Sequence, residues 1–331
     1  MIESLKNKHV LLMLPKFFGY ERIIASHLRK VGATVTVIYE NMDEVSYFYR
    51  MINAYFPRKM PKIMNRYFLK RLVPIANKLD YVLLIRGEFL NPEVLEILKN
   101  KTRDGCKFCM YQWDSVKNNC NAIIIKDFFD CVSTFDPVDS KKFGWKYRPL
   151  FFVPELIEKN AENIDVLYMC SLHSKRIEVL NKLKKLCSEK RLKLYRWVYS
   201  KKLVYYKRKY LNKRSGYISA NDSDISSKVM DVRVTYSFYN RSKIIVDYTH
   251  PGQDGFTMRT IEALGCGKKL VTNNNNVLEA DFYNPNNIYV YSAENLEIPD
   301  AFINAEYCAI DKTVYNKYDI DEWIRSILGL I

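Results

Sequence analysis

Between Lys8 and about residue 152 the chain alternates short apolar runs with amphipathic stretches, and this alternation limits the possible folds more than any other feature. HVLLMLP leads into GYERIIASHLRKVG and then TVTVIYE; further on come YVLLIRG (81–87), NPEVLEILKN, KFCMYQW (107–113), IIIKDFFD, CVSTFD (131–136) and YRPLFF (147–152). Strand, helix and strand in succession form the βαβ unit, whose strands are parallel. The first half therefore reads as an α/β domain.

The pattern restarts after Pro154. A charged segment to Asn163 leads into DVLYMCS (165–171), an amphipathic helix from Lys175 to about Arg191, LKLYRWVYS, KIIVDYT (243–249), a short helix, KKLVTNN and NIYVYS. The expected division is a domain over 1–153 and a second over 154–331, with the last helix free to pack back on the first. Ligands of open parallel sheets bind beyond the carboxyl ends of the strands, so a cleft between two facing Rossmann-like lobes is expected to hold the site.

A formal net charge of +15 points to an anionic partner, be it nucleotide, lipid headgroup or nucleic acid. No stretch approaches the about 20 apolar residues that span a bilayer, and MIESLKNKHVLLMLP places charges where a signal peptide needs its apolar run, so a cytoplasmic location is expected. The 8 Cys are scattered, which fits small buried hydrophobes in a reduced compartment. Cys106 and Cys109 have C-x-x-C spacing, but on a strand positions three apart point to opposite faces and no second pair accompanies them. No metal and no cofactor are expected.

The most informative stretch is DYTHPGQDGFTMRTIEALGCGKKLVTNN, from Asp247 to Asn274. A strand runs into a turn, a helix of about two turns with Met258, Ile261 and Leu264 on one face, a glycine stop at Gly265 and Gly267, and another strand. Free amides at the first turn of such a helix, near Gly255 to Met258, make an anion site.

This stretch resembles the phosphate-and-ribose segment of the GT-B glycosyltransferases called group 1, including the CgeB-like and lipopolysaccharide-biosynthesis branches. The resemblance covers residues 235–275 and rests on Asp254 and Glu262 separated by seven residues, Gly255 and Phe256 at the turn, and EALGCG. It implies a two-lobed GT-B fold and transfer of a sugar from a nucleotide-sugar to a glycan or lipid-linked glycan in bacterial surface polysaccharide synthesis, without a metal. Glu262 would hold the donor ribose, the amides around Phe256 and Thr257 would face the diphosphate, Arg259 would pair with it, and Asp254 would address the sugar. The other reading of these residues is an ordinary helix with an Arg259–Glu262 surface pair and Asp254 as a turn former.

Other candidates sit at strand ends. CSLHSKRIEVL offers Ser171, His173, Ser174, Lys175 and Arg176 beside a helix start, where a cation would stabilise a departing diphosphate. Arg241 and Lys243 precede the strand leading to the main motif, and His250 follows it. For the acceptor side, Asp114 and Glu88 follow strands of the first half and could take the proton of an acceptor hydroxyl, with Asp136 a third candidate.

Two stretches interleave cations with aromatics: PRKMPKIMNRYFLKRLVP (57–74), which has no acid, and Tyr195 to Arg214. Both suit contact with an anionic membrane, placing the protein peripherally on its inner face. Single-stranded nucleic acid wants a similar mixture, but no nucleic-acid signature accompanies it and the Glu-bearing motif has no task there, so no nucleic-acid partner is expected. The alternative from a different class is a noncatalytic nucleotide or polyanion binder, nucleic acid included.

Overall fold

The protein's structure, a computed structural model, describes residues 5–40, 60–213, 215–250, 252–292 and 295–331. The chain forms two compact units, residues 1–150 with 320–331, and residues 151–319.

The first unit is built on a parallel sheet of β1 (His9–Leu14), β2 (Thr34–Tyr39), β3 (Tyr81–Ile85), β4 (Lys107–Gln112), β5 (Cys131–Thr134) and β6 (Lys146–Tyr147), in the order β2-β1-β3-β4-β5-β6. The apolar runs of β1 and β3 are buried along almost their whole length because helices cover both faces. The turn of order lies between β1 and β3, the place where such sheets open a crevice at their carboxyl ends. YRPLFF contributes only Tyr147 to β6, since proline at 149 cannot donate to a ladder. The chain's last helix, Ile320–Ile327, belongs to this unit. Its Ile320, Trp323, Ile324 and Ile327 share one face and are buried, and the Trp323 ring meets Tyr111 edge-on at 4.9 Å.

The second unit carries β7 (Ile164–Ser171), β8 (Leu194–Tyr199), β9 (Ile225–Ser226), β10 (Ser242–Val246), β11 (Lys269–Thr272) and β12 (Ile288–Val290), ordered β12-β11-β10-β7-β8-β9 and parallel throughout. Here the order turns between β7 and β10. The helix Met258–Gly265 follows β10 and is buried nearly all round rather than on one face. Gly265 is required where it stands, because a Cβ there would meet the Phe152 ring at 2.3 Å.

The basic helix Met60–Leu72 turns Met64, Tyr67, Phe68 and Leu72 into the core of the first unit. Its aromatics are therefore not at a surface, which corrects the expectation of an aromatic membrane face there; Pro57, Arg58 and Lys59 of the same stretch lie outside the described residues. All eight cysteines are free, Cys109 and Cys131 being opposite each other on β4 and β5. Among the described residues no helix is long and apolar enough to cross a membrane.

Candidate functional site

In the second unit the chemistry gathers at the carboxyl ends of β7 and β10. After β7 the chain turns through Leu172–Lys175, with Ser174 at φ 51°, into the helix Arg176–Glu189. Arg176 opens that helix yet is only 7% exposed. Its Nη1 donates to the Ser171 carbonyl at 3.0 Å and its Nη2 to the Tyr248 carbonyl at 3.2 Å, while Nε is buried without a partner. Carbonyl dipoles hold the guanidinium but do not neutralise it.

Directly after β10 stands Asp247, fully buried. Its carboxylate accepts from Arg259 Nε at 2.6 Å and from the hydroxyls of Thr249 and Thr257 at 3.0 Å each. Arg259 is thus paired with Asp247 and not with Glu262. Burial alone would lower the Arg259 pKa, but the Asp247 carboxylate and neighbouring groups outweigh it and raise it. Burial lowers that of Arg176, and the Arg259 charge lowers it further. Arg259 thus has a carboxylate partner, whereas Arg176, close enough to feel the Arg259 charge, is held by carbonyls alone among the described residues.

The histidines report the same field. His173 and His250 lie with ring centroids 5.6 Å apart. Burial first, then Arg176, His250 and Arg259, pull the His173 pKa down to about 3, so the imidazole is neutral near pH 7. Lys175 is exposed beside them.

The helix Met258–Gly265 begins at the same place. Thr257 caps it by accepting from the Thr260 amide, and the amides of Met258 and Arg259 have no hydrogen-bond partner among the described residues. Gly255 and Phe256 are buried beneath the turn, Phe256 against Phe282 with centroids 5.4 Å apart. The turn is fixed by Asn276 donating to the Asp254 carbonyl at 2.8 Å and Asn274 to the Gly255 carbonyl at 3.2 Å. Asp254 is half-buried there. Glu262 is 1% exposed and lies near Tyr239 of the helix Val232–Asn240. Burial and the Glu262 charge raise the Tyr239 pKa, keeping it a protonated donor.

Arg241 and Lys243 do not join this group. Lys243 is at the start of β10, where its Nζ pairs with Asp165 of β7 at 2.8 Å, and Arg241 Nε donates to the Ser237 carbonyl at 3.0 Å. Both mark the amino edge of the sheet, a correction that follows from strand direction: a residue preceding a parallel strand faces away from its carboxyl end.

In the first unit the carboxyl ends of β2, β3 and β4 bring together groups of the opposite sign. Arg86, at φ 78° after β3, pairs through Nη2 with Glu88 at 2.5 Å and through Nε with Asp114 at 3.2 Å. The carbonyl of Arg86 accepts from Gln112 and Asn119 at 2.8 and 2.7 Å, which holds this strained turn. Burial raises the Asp114 pKa against the pull of Arg86 and makes it a stronger base than a free aspartate. Glu40, directly after β2, completes the group. It is fully buried, accepts from the Glu88 amide at 3.1 Å, and its Oε1 has no hydrogen-bond partner among the described residues. Burial pushes its pKa up to about 8 against the opposing pull of Arg86. By contrast Asp136 is a helix cap, accepting from the amides of Val138 and Asp139.

Sequence reasoning assigned no role to Asp247 or Glu40. The signal available for both was an acid directly after an apolar strand run, at the carboxyl end where ligands bind.

Residues 227–306 match the family model described as glycosyl transferase-like. No curated protein sequence matches the chain. Among solved structures it is similar to a glycosyltransferase from Rickettsia africae (15% identity, covering 98% of this chain and 97% of that one, TM-score 0.59). It is also similar to sucrose-phosphate synthase from Thermosynechococcus elongatus (12% identity, 98% and 92% covered, TM-score 0.55). A third is an alpha-glucosyltransferase in complex with UDP and a 13-mer DNA containing an A:G mismatch (10% identity, 85% and 81% covered, TM-score 0.51). The two six-stranded parallel sheets are those of the GT-B fold. Together the matched segment and the fold support a sugar transferase.

Proposed function

We propose that the chain transfers a sugar from a nucleoside-diphosphate sugar to a hydroxyl of a glycan or lipid-linked glycan, in bacterial surface polysaccharide synthesis, at the inner face of an anionic membrane. The observation that carries this reading is a buried guanidinium held without a carboxylate at the carboxyl edge of the second sheet, among the described residues. Arg176, held by carbonyls alone among the described residues, faces the charge of Arg259, which with the helix start at Met258 lies in the segment that matches the glycosyl transferase-like model. A diphosphate supplies a negative partner for Arg176, and the same groups stabilise it as it departs.

In the proposed reaction the acceptor oxygen bonds to the anomeric carbon as the bond from that carbon to the diphosphate breaks. The hydroxyl proton passes to Asp114, with Glu88 and Arg86 fixing its carboxylate. The nucleoside diphosphate leaves with both electrons of the broken bond, held by Arg176, Arg259, Lys175 and the amides at Thr257 to Arg259. Ser171 serves through its carbonyl, which orients Arg176, and His173 and His250 line the anion pocket. Glu262, oriented by Tyr239, holds the ribose hydroxyls, and Asp254 addresses the donor sugar. No metal is assigned to the leaving group, since helix amides and guanidinium groups supply the charge.

A thermal-shift panel of UDP, GDP, ADP and CMP with their sugars tests the reading, because a ligand of the native state raises its melting temperature according to affinity. One nucleotide is expected to raise it, and its sugar to be hydrolysed slowly without acceptor. A panel in which none raises it would remove the donor site. Nucleotide binding with no hydrolysis of any sugar would leave a noncatalytic binder.

A further inference from the structure

Among the described residues, six of the large apolar side chains that stand exposed fall between 203 and 218: Leu203, Val204, Tyr206, Tyr210, Leu211 and Ile218. Leu203 is 86% exposed and Leu211 77%. They lie on the helix Lys202–Tyr206, its π-helical continuation Lys207–Leu211, and the short helix Ser215–Ile218.

The segment is firmly seated from its other side. Tyr205 donates to Asp222 at 2.6 Å, Lys209 also binds Asp222, and the Tyr217 hydroxyl donates to the Leu172 carbonyl at 2.9 Å. Positions 203, 206 and 210 therefore recur at helical spacing on the face turned away from the unit, where a helix of a soluble domain is ordinarily polar. Tyr206 and Tyr210 stack there with centroids 6.0 Å apart. Lys201, Lys202, Lys207 and Lys213 are exposed around them and make no ion pair among the described residues, and 201–213 contains no acid.

We infer that the surface formed by 202–213 is a membrane-docking wedge that inserts Leu203, Tyr206, Tyr210 and Leu211 among the headgroups of an anionic bilayer while the lysines meet its phosphates. Apolar tips ringed by cations match a lipid interface, with tyrosines at headgroup level. The inference rests on the membrane-surface reading above and not on sugar transfer, and it places the docking element in the second unit. The Met60–Leu72 helix, whose aromatics are buried, carries no such tips.

The test is co-sedimentation of the full chain with vesicles of 70% phosphatidylcholine and 30% phosphatidylglycerol. The parent is expected to bind these and to bind pure phosphatidylcholine at least tenfold more weakly. Leu203→Ser with Leu211→Ser should cut binding at least tenfold, and Lys202→Gln with Lys207→Gln and Lys213→Gln several-fold. Lys62→Gln with Lys70→Gln should leave it unchanged. Circular dichroism and an unaltered thermal shift with the nucleotide that binds the parent show that each variant is folded; should the Leu pair fail to fold, Tyr210→Ser replaces it. No binding by the parent, or binding undiminished by the wedge variants, overturns the inference. So does binding of a single-stranded oligonucleotide that the same changes abolish, or a parent dimer that they dissociate. Loss of nucleotide binding alone would sink the transferase reading and leave the vesicle result standing.

Discussion

At the carboxyl edge of the second sheet Arg259 pairs with a buried carboxylate while Arg176 is held by carbonyls, whereas at the same edge of the first sheet one guanidinium, Arg86, pairs with two carboxylates. The helix starts differ as well. In the first unit Glu21 is buried and its carboxylate accepts from the amides of Phe17 and Gly19, so a side chain already occupies that helix start. In the second unit the amides of Met258 and Arg259 have no hydrogen-bond partner among the described residues. Two parallel sheets of six strands thus pair their charges differently at equivalent edges. The fold fixes where a ligand binds, and a few residues after each strand decide its sign.

The largest expected effect breaks the second edge. Arg259→Met leaves Asp247 buried without its ion pair and should destabilise the second unit by about 3–5 kcal/mol, measured by urea unfolding. A loss under about 1 kcal/mol would show that the Thr249 and Thr257 hydroxyls suffice for the carboxylate.

Arg176→Ala should leave the fold nearly intact and weaken nucleoside diphosphate binding roughly tenfold to a hundredfold, the worth of one or two charge-assisted hydrogen bonds. Glu262→Ala should weaken donor binding and activity roughly tenfold or more, since a bond to a charged group contributes about 1.5–3 kcal/mol. Donor affinity unchanged in the Glu262 variant would remove the ribose role and leave that residue as a buried partner of Tyr239.

The prediction for the first edge depends on pH. Glu40 has its pKa raised to about 8 in the folded protein against 4.5 ordinarily. The folded state therefore holds a proton that the unfolded state has released. The stability this contributes is present below pH 4.5 and lost as pH rises towards 8, by up to about 1.4 kcal/mol per pH unit. Glu40→Gln, a mimic of the protonated acid, should raise the melting temperature at pH 9 and change it little at pH 5. An equal shift at both values would mean that Glu40 is ionised throughout.

Much of this was legible in the sequence, for identifiable reasons. Apolar runs such as HVLLML and YVLLI can only be strands buried on two faces, and the Thr257-capped helix with its glycine stop is local chemistry. That Asp114 and Glu88 stand at strand ends is readable from where apolar runs stop, and the structure pairs both with Arg86. What stayed hidden depended on long-range pairing. That Arg259 reaches Asp247 twelve residues back, that Arg176 is held by the Tyr248 carbonyl, and that Glu40 closes over the turn at Glu88 are facts of strand order. Strand order also assigns Arg241 and Lys243 to the amino edge. The Met60–Leu72 helix looked interfacial because its cations and aromatics alternate in sequence, yet in space they part, the aromatics into the core.

Nucleotide titration calorimetry on the parent, Arg176→Ala and Asp114→Asn tests most directly whether the edge bearing Arg176 holds the donor and the edge bearing Asp114 serves the acceptor. The parent and Asp114→Asn are expected to bind the same nucleoside diphosphate equally well, and Arg176→Ala at least tenfold more weakly. Full affinity in Arg176→Ala, or an equal loss in Asp114→Asn, would contradict that division between the two units.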